Sequence, residues 1–219
     1  MKQYPIILSG QEVRDILDGR KTQVRRPLSP QPVWLPVHNM WGWQEARGGG
    51  YKVTVGAIEH LTDLGTYGAP GAVLWAREAI YESGQGEWFY AADDQCVGCR
   101  FGDENAMMEW VMHIDRPRVS PMHMPKWASR LSLKVLDIRI QHVQDISEND
   151  ARAEGAHPEF ELDVDAFLRD EHVDFAKAST YKLGYKHDWA ERYETKPHLS
   201  WATNPIVWAV TFKRHRWYE

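Results

Sequence analysis

The chain has 219 residues, 43% of them hydrophobic and 26% charged, and a formal net charge of −5, which predicts a single soluble globular domain with a buried core. No apolar run approaches the roughly 18 residues that a membrane-spanning helix needs, and the apolar stretch near the N-terminus is too short for a secretory signal. Two cysteines cannot make a disulfide scaffold, so we expect a cytoplasmic protein with no membrane partner.

The first predicted helix begins at a capping box. Ser9 and Glu12 stand three residues apart, the spacing at which each side chain satisfies a free backbone N–H of the first turn. Apolar residues then recur at helical spacing up to Leu17. Gly19 supplies a left-handed end to the helix.

A basic segment follows this helix. Residues 19–26 contain four cations, Arg20, Lys21, Arg25 and Arg26. If 22–26 is a strand, Gln23 and Arg25 share one face. Arginine binds phosphate or carboxylate through two parallel hydrogen bonds, and a partly desolvated lysine can lose its proton and act as a base. The alternative is a solvated charge run that forms salt bridges with an acidic segment further along the chain.

Two stretches rich in proline and glycine, 27–50 and 82–121, are predicted to be insertions between regular elements. A strand is expected at 73–76, after a Pro–Gly turn. Arg77 and Glu78 follow it and point to opposite faces, so one of them faces inward or lines a cleft. The alternative is an Arg–Glu pair at the edge of a strand.

The second insertion carries Cys96 and Cys99. One C-x-x-C motif supplies at most two zinc ligands, and of the histidines downstream only His113 follows at a spacing that suits a zinc finger. We expect two reduced thiols away from the basic segment, and no bound metal. Residues 123–130 then form a polar and aromatic patch that leads into the next strand.

The C-terminal half continues with strands and helices. Apolar residues alternate up to Val135 and change phase from Leu136 onward, which predicts a bulge. A short helix is expected from Ser147 to Gly155, and a longer helical stretch at about 164–178.

Negative charge is concentrated in the acidic segment, residues 145–175, which holds eleven acidic side chains and two arginines. The rest of the chain holds 24 basic and 20 acidic residues and carries +4. A local anion-binding surface is therefore compatible with the negative total.

Residues 206–212 are apolar on both faces and indicate a central strand. Trp208 is expected in the core, so Trp208→Ala should cost about 3–5 kcal/mol. Many strands with few helices predict the α+β class, in the form of a small barrel that carries helices.

The chain has no P-loop, dinucleotide-binding glycine motif, nucleophile elbow or zincin motif. Nucleoside triphosphatase, Rossmann oxidoreductase, serine hydrolase and zincin functions therefore have no support. No cofactor is indicated.

The run from Ile16 to Arg26 resembles the signature of ASCH-domain proteins, and five further blocks resemble phage and prophage members of that family. These blocks are 67–71, 74–78, 123–130, 145–147 with 153–155, and Asn204-Pro205 with Trp208 and Phe212. They follow in the right order and span nearly the whole chain. The resemblance implies a small β-barrel related to the PUA domain, with flanking helices, and a partner that is RNA or a modified nucleoside or nucleotide.

The resemblance also implies a reaction. A bacterial branch of the family hydrolyses the amide of N4-acetylcytidine with a Lys and a Thr of the first motif and a Glu of a later short helix. Lys21 matches the Lys and Glu154 the Glu. Val24 stands at the position of the Thr, and Thr22, on the same strand face, becomes the candidate nucleophile. The predicted substrate-binding residues are Arg25, Arg26, Trp75, Arg77, Glu78, Lys126, Trp127 and Ser129.

The position of Glu154 makes a geometric prediction. A carboxylate in the last turn of a helix opposes the helix dipole, and a nearby cation offsets that cost. We expect the Lys21 amine and the Glu154 carboxylate within hydrogen-bond reach, with Arg25 or Arg77 lining the same cavity. Lys21→Ala is then expected to abolish binding with little loss of thermal stability.

Two other functions stay open. The first alternative is a non-catalytic RNA-binding module, in which the same cations hold phosphates and a tryptophan stacks on an unpaired base. The second is a phage-type accessory protein that binds another protein through residues 82–121.

Overall fold

The computed structural model describes residues 2–44, 51–55, 67–97, 116–159 and 180–215. The chain forms two compact units, each assembled from segments that are distant in sequence. The first unit comprises residues 1–19, 65–136 and 212–219, and the second comprises 20–64 and 137–211. Strands β10 (Ser132–His142) and β11 (Ile206–His215) each contribute residues to both units.

Helix α1 (Gly10–Leu17), in the first unit, begins as the sequence predicts. The Ser9 N–H donates to Glu12 Oε2 at 3.0 Å, and the Glu12 N–H donates to Ser9 Oγ at 3.2 Å, so both hydrogen bonds of the capping box are formed. Gly19 then adopts the left-handed conformation, with φ +77°. The helix therefore ends here, and the chain continues into the basic segment.

Two sheets organise the first unit. Strand β1 (Gln3–Ile7) pairs parallel with β6 (Val73–Arg77), and β6 pairs antiparallel with β10. A smaller sheet has the order β8-β7-β9, in which β7 is Ile80–Glu82, β8 is Trp88–Tyr90 and β9 is Arg118–Val119. Its short strands are held by a buried core of Ile80, Trp88, Tyr90, Val97, Val119, Met124 and Ala128.

In the second unit, β2 (Gln23–Pro27) pairs antiparallel with β11. Strands β3 (Val33–Leu35), β4 (Met40–Gln44) and β5 (Tyr51–Val55) form a separate antiparallel sheet. The predicted insertion 27–50 therefore contains strands β3 and β4 among its described residues, and residues 45–50 lie outside the described part of the chain.

The second predicted insertion, 82–121, likewise contains strands β8 and β9 among its described residues. Residues 98–115 lie outside the described part of the chain. The expectation that this stretch binds a protein partner therefore stays a prediction.

Helices α2 (Glu148–Ala153) and α3 (Tyr181–Tyr193) complete the second unit. They share a core of Val143, Ile146, Ala151, Ala156, Tyr185, Trp189 and Val207. The sequence predicted α2 but not α3, and the helix predicted at 164–178 lies outside the described residues. None of the helices in the described segments is long and apolar enough to cross a membrane.

The α+β class is confirmed, but the small PUA-like barrel is wrong. The main sheet has the order β1-β6-β10-β11-β2, and the other described strands form two separate three-stranded sheets. A barrel closes only when its end strands pair, and the end strands β1 and β2 are not neighbours in the sheet of the described residues. The apolar pattern of 206–212 indicates a central strand, and an open sheet supplies that position as well as a barrel does.

Strand β11 is central, as predicted. Residues 206–210 are all buried, and Trp208 is 3% exposed. In β10 the buried positions do change phase, from Leu133 and Val135 to Ile140. Leu136, however, is exposed, and its predicted burial is wrong. The phase changes across two consecutive exposed residues, Leu136 and Asp137, and not at a single buried position.

Candidate functional site

Lys21, Gln23 and Arg25 share one face of the chain where it enters β2. All three are buried, and the exposed fractions of Lys21 and Arg25 are 3% and 0%. Alternation along an extended chain brings these odd-numbered positions together. The basic segment is therefore not a solvated charge run here, and burying these charges requires that they be paired.

The C-terminus of helix α2 supplies the partner of Lys21. Glu154 is the C-cap, Gly155 follows with φ +84°, and the Ala156 N–H donates to the Ala151 carbonyl at 3.2 Å, which is the long hydrogen bond of a Schellman motif. Lys21 Nζ donates to the Glu154 backbone carbonyl at 2.6 Å and to Glu154 Oε2 at 2.8 Å. The predicted contact is present, and the same ammonium group also caps the helix.

Arg25 adds a second cation. Its Nη1 donates to Glu154 Oε1 at 3.1 Å, and its Nη2 donates to Asp150 Oδ2 at 3.0 Å. Nη1 also donates to Gln23 Oε1, and Gln23 Nε2 donates to Asp150 Oδ1 at 3.1 Å. Two cations, two carboxylates and one amide thus interlock, and these five residues, Lys21, Gln23, Arg25, Asp150 and Glu154, are hereafter the buried ion network.

Both carboxylates of the network belong to the acidic segment. The salt bridges that the sequence offered as an alternative are therefore formed, but in the interior of the second unit. A buried charge that loses its partner is strongly destabilising. The network consequently has a structural role whatever chemistry it performs.

Asp150 connects the network to the surface. Partial burial acts to raise the pKa of Asp150, but the hydrogen bond from Gln23 and the charges of Arg25 and Arg139 outweigh it and hold that pKa below its ordinary value. Arg139 Nη2 lies 3.2 Å from Asp150 Oδ2, and the Arg139 side chain is 42% exposed. The carboxylate therefore stays ionised at neutral pH.

Tyr185 of helix α3 packs against the network, with its ring centroid 5.9 Å from Arg25 Cζ. Burial, together with the negative charge of Glu154, raises the pKa of Tyr185 well above its ordinary value, so the phenol stays protonated and can donate. Its hydroxyl and Arg25 Nε are buried without a hydrogen-bond partner among the described residues. Two donors that lack an acceptor are expected where a ligand or a water molecule supplies one.

Asp188, also on α3, is a second titratable group in the field of Lys21. Partial burial raises the pKa of Asp188, and the positive charges of Arg192 and Lys21 offset part of this rise. A carboxyl group with a raised pKa is suited to proton transfer.

The predicted nucleophile does not join the network. Thr22 is exposed, and its backbone N–H donates to the Ala153 carbonyl at 2.8 Å. Val24, where the resemblance would place a Thr, is fully buried opposite Val210 in the β2–β11 pair. A different threonine hydroxyl touches the network, because Gln23 Nε2 donates to Oγ1 of Thr211 at 3.0 Å.

Arg77 and Trp75, two of the predicted substrate-binding residues, contact each other in the first unit. The Arg77 guanidinium carbon lies 5.2 Å from the centroid of the Trp75 ring, and Arg77 Nη2 donates to the Met122 carbonyl. Of the two arginines expected beside Lys21 and Glu154, Arg25 is the one that binds Glu154.

Glu78 forms an ion pair, which the sequence allowed as its alternative role. Arg130 donates to it through two parallel hydrogen bonds, Nε to Oε1 at 2.8 Å and Nη2 to Oε2 at 2.7 Å. Asp93 accepts from Arg130 Nη1 at 2.8 Å, and the guanidinium lies 3.9 Å from the Tyr90 ring centroid. Burial opposes the charge, but these partners raise the pKa of Arg130 overall. Such complete pairing indicates a structural role.

The other predicted contact residues have simpler surroundings. Lys126 is exposed, and Trp127 packs against the core of the first unit. Ser129 is buried, and its hydroxyl donates to the Leu131 carbonyl at 3.2 Å. Arg26 is half-buried beside the network and donates to the Arg25 carbonyl at 3.1 Å. Packing therefore accounts for Trp127 and Ser129.

Cys96 is half-buried in the first unit, and its backbone pairs with that of Phe89 in an isolated antiparallel β-bridge. Cys99 and His113 lie outside the described residues, so the expectation of free thiols stays a prediction. Within the described segments, no three His, Cys, Asp or Glu side chains come together as a possible metal site.

Comparisons of the chain with protein-family models, with curated proteins and with solved structures give no match. The functional argument therefore depends on the residues themselves.

Sequence reasoning missed Asp150, Gln23, Tyr185 and Thr211 as members or neighbours of the network. Asp150 carries a usable signal, because it stands four residues before Glu154 and so shares its helical face. Gln23 carries another, since it alternates with Lys21 and Arg25. Tyr185 and Thr211 reach the network only through tertiary packing, and no local pattern indicates them.

Proposed function

We propose that the second unit acts on a modified nucleoside, free or within RNA, and that the buried ion network is its reacting centre. The observation that carries this proposal is the Lys21 Nζ to Glu154 Oε2 contact of 2.8 Å, closed by Arg25 Nη1 at 3.1 Å from Glu154 Oε1. These are the Lys and the Glu that the ASCH resemblance implies. A lysine and a carboxylate in contact can exchange a proton, which acid–base catalysis requires.

The proposed reaction is hydrolysis of the amide of an N4-acylated cytidine. Water adds its oxygen to the acyl carbon, the bond from that carbon to N4 breaks, and the products are cytidine and a carboxylic acid. Glu154 takes a proton from the attacking water, and Lys21 donates a proton to N4. The proton on Glu154 then passes to Lys21 across their 2.8 Å contact, so both residues return to their starting states. Arg25 Nε and the Tyr185 hydroxyl, which lack an acceptor among the described residues, donate to the oxyanion.

Thr211, whose hydroxyl accepts a hydrogen bond from Gln23, could attack in place of water. Its oxygen would then form an ester with the acyl group as the bond to N4 breaks, and water would hydrolyse that ester to release the carboxylic acid and restore the hydroxyl. Thr211→Ala and Thr211→Ser separate the two. Loss of turnover in the alanine variant and its recovery in the serine variant would assign the nucleophile to Thr211. Full activity in both variants would assign it to water.

The test is release of cytidine from N4-acetylcytidine, followed by liquid chromatography. We expect turnover by the unaltered protein and a loss of about 100-fold or more in Glu154→Gln, the scale of a general acid–base group. Glu191→Gln, which makes the same change at an exposed glutamate of helix α3, is the matched control and should retain activity. Equal activity in Glu154→Gln and the unaltered protein would overturn the assignment.

The structure changes the expected behaviour of Lys21→Ala. Lys21 is 3% exposed and paired, and removing one partner of a buried pair costs about 3–5 kcal/mol. Lys21→Ala is therefore expected to lower the thermal stability, unlike the small loss that the sequence alone predicts. Lys21→Arg keeps the charge and tests the chemistry, with thermal unfolding measured in parallel.

A non-catalytic RNA-binding module is the second candidate, and Val24 at the family's Thr position favours it. Binding of single-stranded RNA without any cytidine release would select this function. If the folded protein neither binds RNA nor releases cytidine, the catalytic function and the RNA-binding function are both refuted.

A further inference from the structure

The second unit contains an open cleft of about 680 Å³, between the chain after β2 and the segment after helix α3. Its walls include Pro30 and Leu199, which are apolar, and Tyr193, which is aromatic. This volume lies within the roughly 300–1,000 Å³ typical of small-molecule sites. None of the five residues of the buried ion network lines this cleft.

The cleft is lined by basic side chains and by no acidic ones among its described lining residues. Lys196 and His198 line it and are exposed. The Lys196 ammonium lies 6.0 Å from the Tyr193 ring centroid. An aromatic ring with a cation beside it complements a planar ring that carries an anionic group.

The cleft is held in shape by hydrogen bonds. Gln31 Nε2 donates to the Leu28 and Ile206 carbonyls at 2.7 and 3.0 Å, and Gln31 Oε1 accepts from the Ile206 N–H at 2.7 Å. Trp43 Nε1 donates to the Pro30 carbonyl at 2.7 Å. These bonds fix one wall before any ligand arrives, which lowers the entropic cost of binding.

The opposite wall is fixed by helix α3. Trp189 contacts Tyr193 with ring centroids 4.4 Å apart and ring planes tilted by 41°, and Trp189 Nε1 donates to the Leu199 carbonyl at 2.8 Å. The Tyr193 ring is thereby supported from inside the unit. A supported aromatic face is a suitable platform for a base.

We infer that this cleft binds a nucleoside monophosphate, with the base against Tyr193 and the phosphate at Lys196 and His198. The nucleotide can be a free molecule or one unpaired unit of an RNA strand, since the chemistry is the same. The inference does not depend on the proposed function, because the two sites share no residue.

The test is isothermal titration calorimetry with adenosine 5′-monophosphate, which carries no cytidine for the proposed reacting centre. Adenosine lacks the phosphate, and ribose 5-phosphate lacks the base. Each should bind at least about tenfold more weakly than the mononucleotide, because one charged hydrogen bond or one stacked base contributes about that much affinity. Lys196→Ala and Tyr193→Leu should each weaken binding by about tenfold or more. Lys186→Ala is the matched control for Lys196→Ala, because Lys186 lies on helix α3 with Tyr193 but outside the cleft lining.

A 5′-phosphorylated RNA hexamer distinguishes the two sources. Displacement of the mononucleotide by the hexamer at lower concentration would identify an RNA unit, and failure to displace it would identify a free nucleotide. Absence of saturable mononucleotide binding, or binding unchanged in Lys196→Ala and Tyr193→Leu, would overturn the inference. The two proposals can also fail separately. If Glu154→Gln still binds the mononucleotide and the unaltered protein releases no cytidine, the nucleotide site is supported and the proposed function is refuted.

Discussion

Lys21 stabilises the C-terminal end of helix α2 through two contacts with one residue. Its ammonium satisfies the C-terminal carbonyl of Glu154 and neutralises the carboxylate of the same residue. Both contacts are favourable at a helix C-terminus, where the dipole attracts a cation. The carboxylate that opposes the dipole is thereby accommodated, and Arg25 provides its second partner.

Tyr185→Phe tests whether the unpartnered hydroxyl is held for a ligand. Because its hydroxyl lacks a partner among the described residues, removing it should leave the free energy of unfolding unchanged or raise it. Chemical denaturation measures this. Tyr90→Phe is the matched control, since the Tyr90 hydroxyl donates to the Ala128 carbonyl at 2.7 Å and its loss should cost about 1–3 kcal/mol. A comparable loss in Tyr185→Phe would mean that its hydroxyl is already satisfied.

Asp150 should make the protein less stable in acid. Its pKa in the folded protein lies below its ordinary value, which is about 3.9 in an unfolded chain. The ionised carboxylate therefore contributes stability that is complete above about pH 5 and is lost as the pH falls through 3.9 toward the folded pKa. Urea midpoints measured from pH 7 to pH 3 should fall less steeply in Asp150→Asn.

Asp137→Asn is the control for that experiment, because its side chain is 54% exposed and a surface pair contributes only about 0–1 kcal/mol. Parallel pH profiles for Asp150→Asn and the unaltered protein would contradict the assignment of the lowered pKa.

Helix α3 links the two candidate sites within the second unit. Tyr185, Trp189 and Tyr193 recur every four residues, so their rings lie along one helical face. Arg25 lies against the first ring and Lys196 against the last. A helix that packs through such a row of aromatic rings places the buried ion network and the nucleotide cleft at opposite ends of one rigid element.

Gly184 allows that helix to pack closely. A Cβ at this position would overlap the backbone carbonyl oxygen of His157, so Gly184→Ala should cost about 1–3 kcal/mol through forced displacement. Thermal unfolding measures the effect. Gly10→Ala is the matched control in helix α1, where a new Cβ would meet Ala92 Cα at an ordinary 3.5 Å. If the two variants are equally stable, the backbone at His157 can move away from a Cβ at position 184 without a measurable cost.

At the scale of the whole molecule, the distribution of charge limits how the RNA of the proposed function could be bound. The chain carries −5, and the network cations Lys21 and Arg25 are buried and paired with carboxylates. They cannot release counterions from a phosphate backbone while they remain paired. Recognition by a pocket is therefore more consistent with this molecule than recognition by an extended basic surface.

This predicts a weak dependence of RNA affinity on salt. Each phosphate contact with a single strand changes the slope of log K against log salt concentration by about −0.7, so one or two contacts should give a slope of about −1. Fluorescence anisotropy of a labelled RNA, between low and physiological salt, measures it. A slope steeper than about −4 would require an extended basic surface instead.

Local patterns in the sequence were sufficient wherever the deciding interactions are short in range. The Ser9–Glu12 capping box and the helix end at Gly155 are set by residues within one or two turns. The burial of β11 follows from its own composition. The contact of Lys21 with Glu154 was also predictable, because a carboxylate at a helix C-terminus needs a cation and the resemblance indicated which one.

The order of the strands, the place of Tyr185 and Thr211, and the nucleotide cleft were decided only by the tertiary structure. A central strand looks the same in a closed barrel and in an open sheet, since its side chains are buried in both, so the pattern of 206–212 could not tell them apart. Helix α3 has mixed aromatic and charged residues and an internal Gly184, which obscure its period. Its partners lie on segments far away in sequence, and long-range packing selects them by shape and charge, which no short stretch of sequence contains.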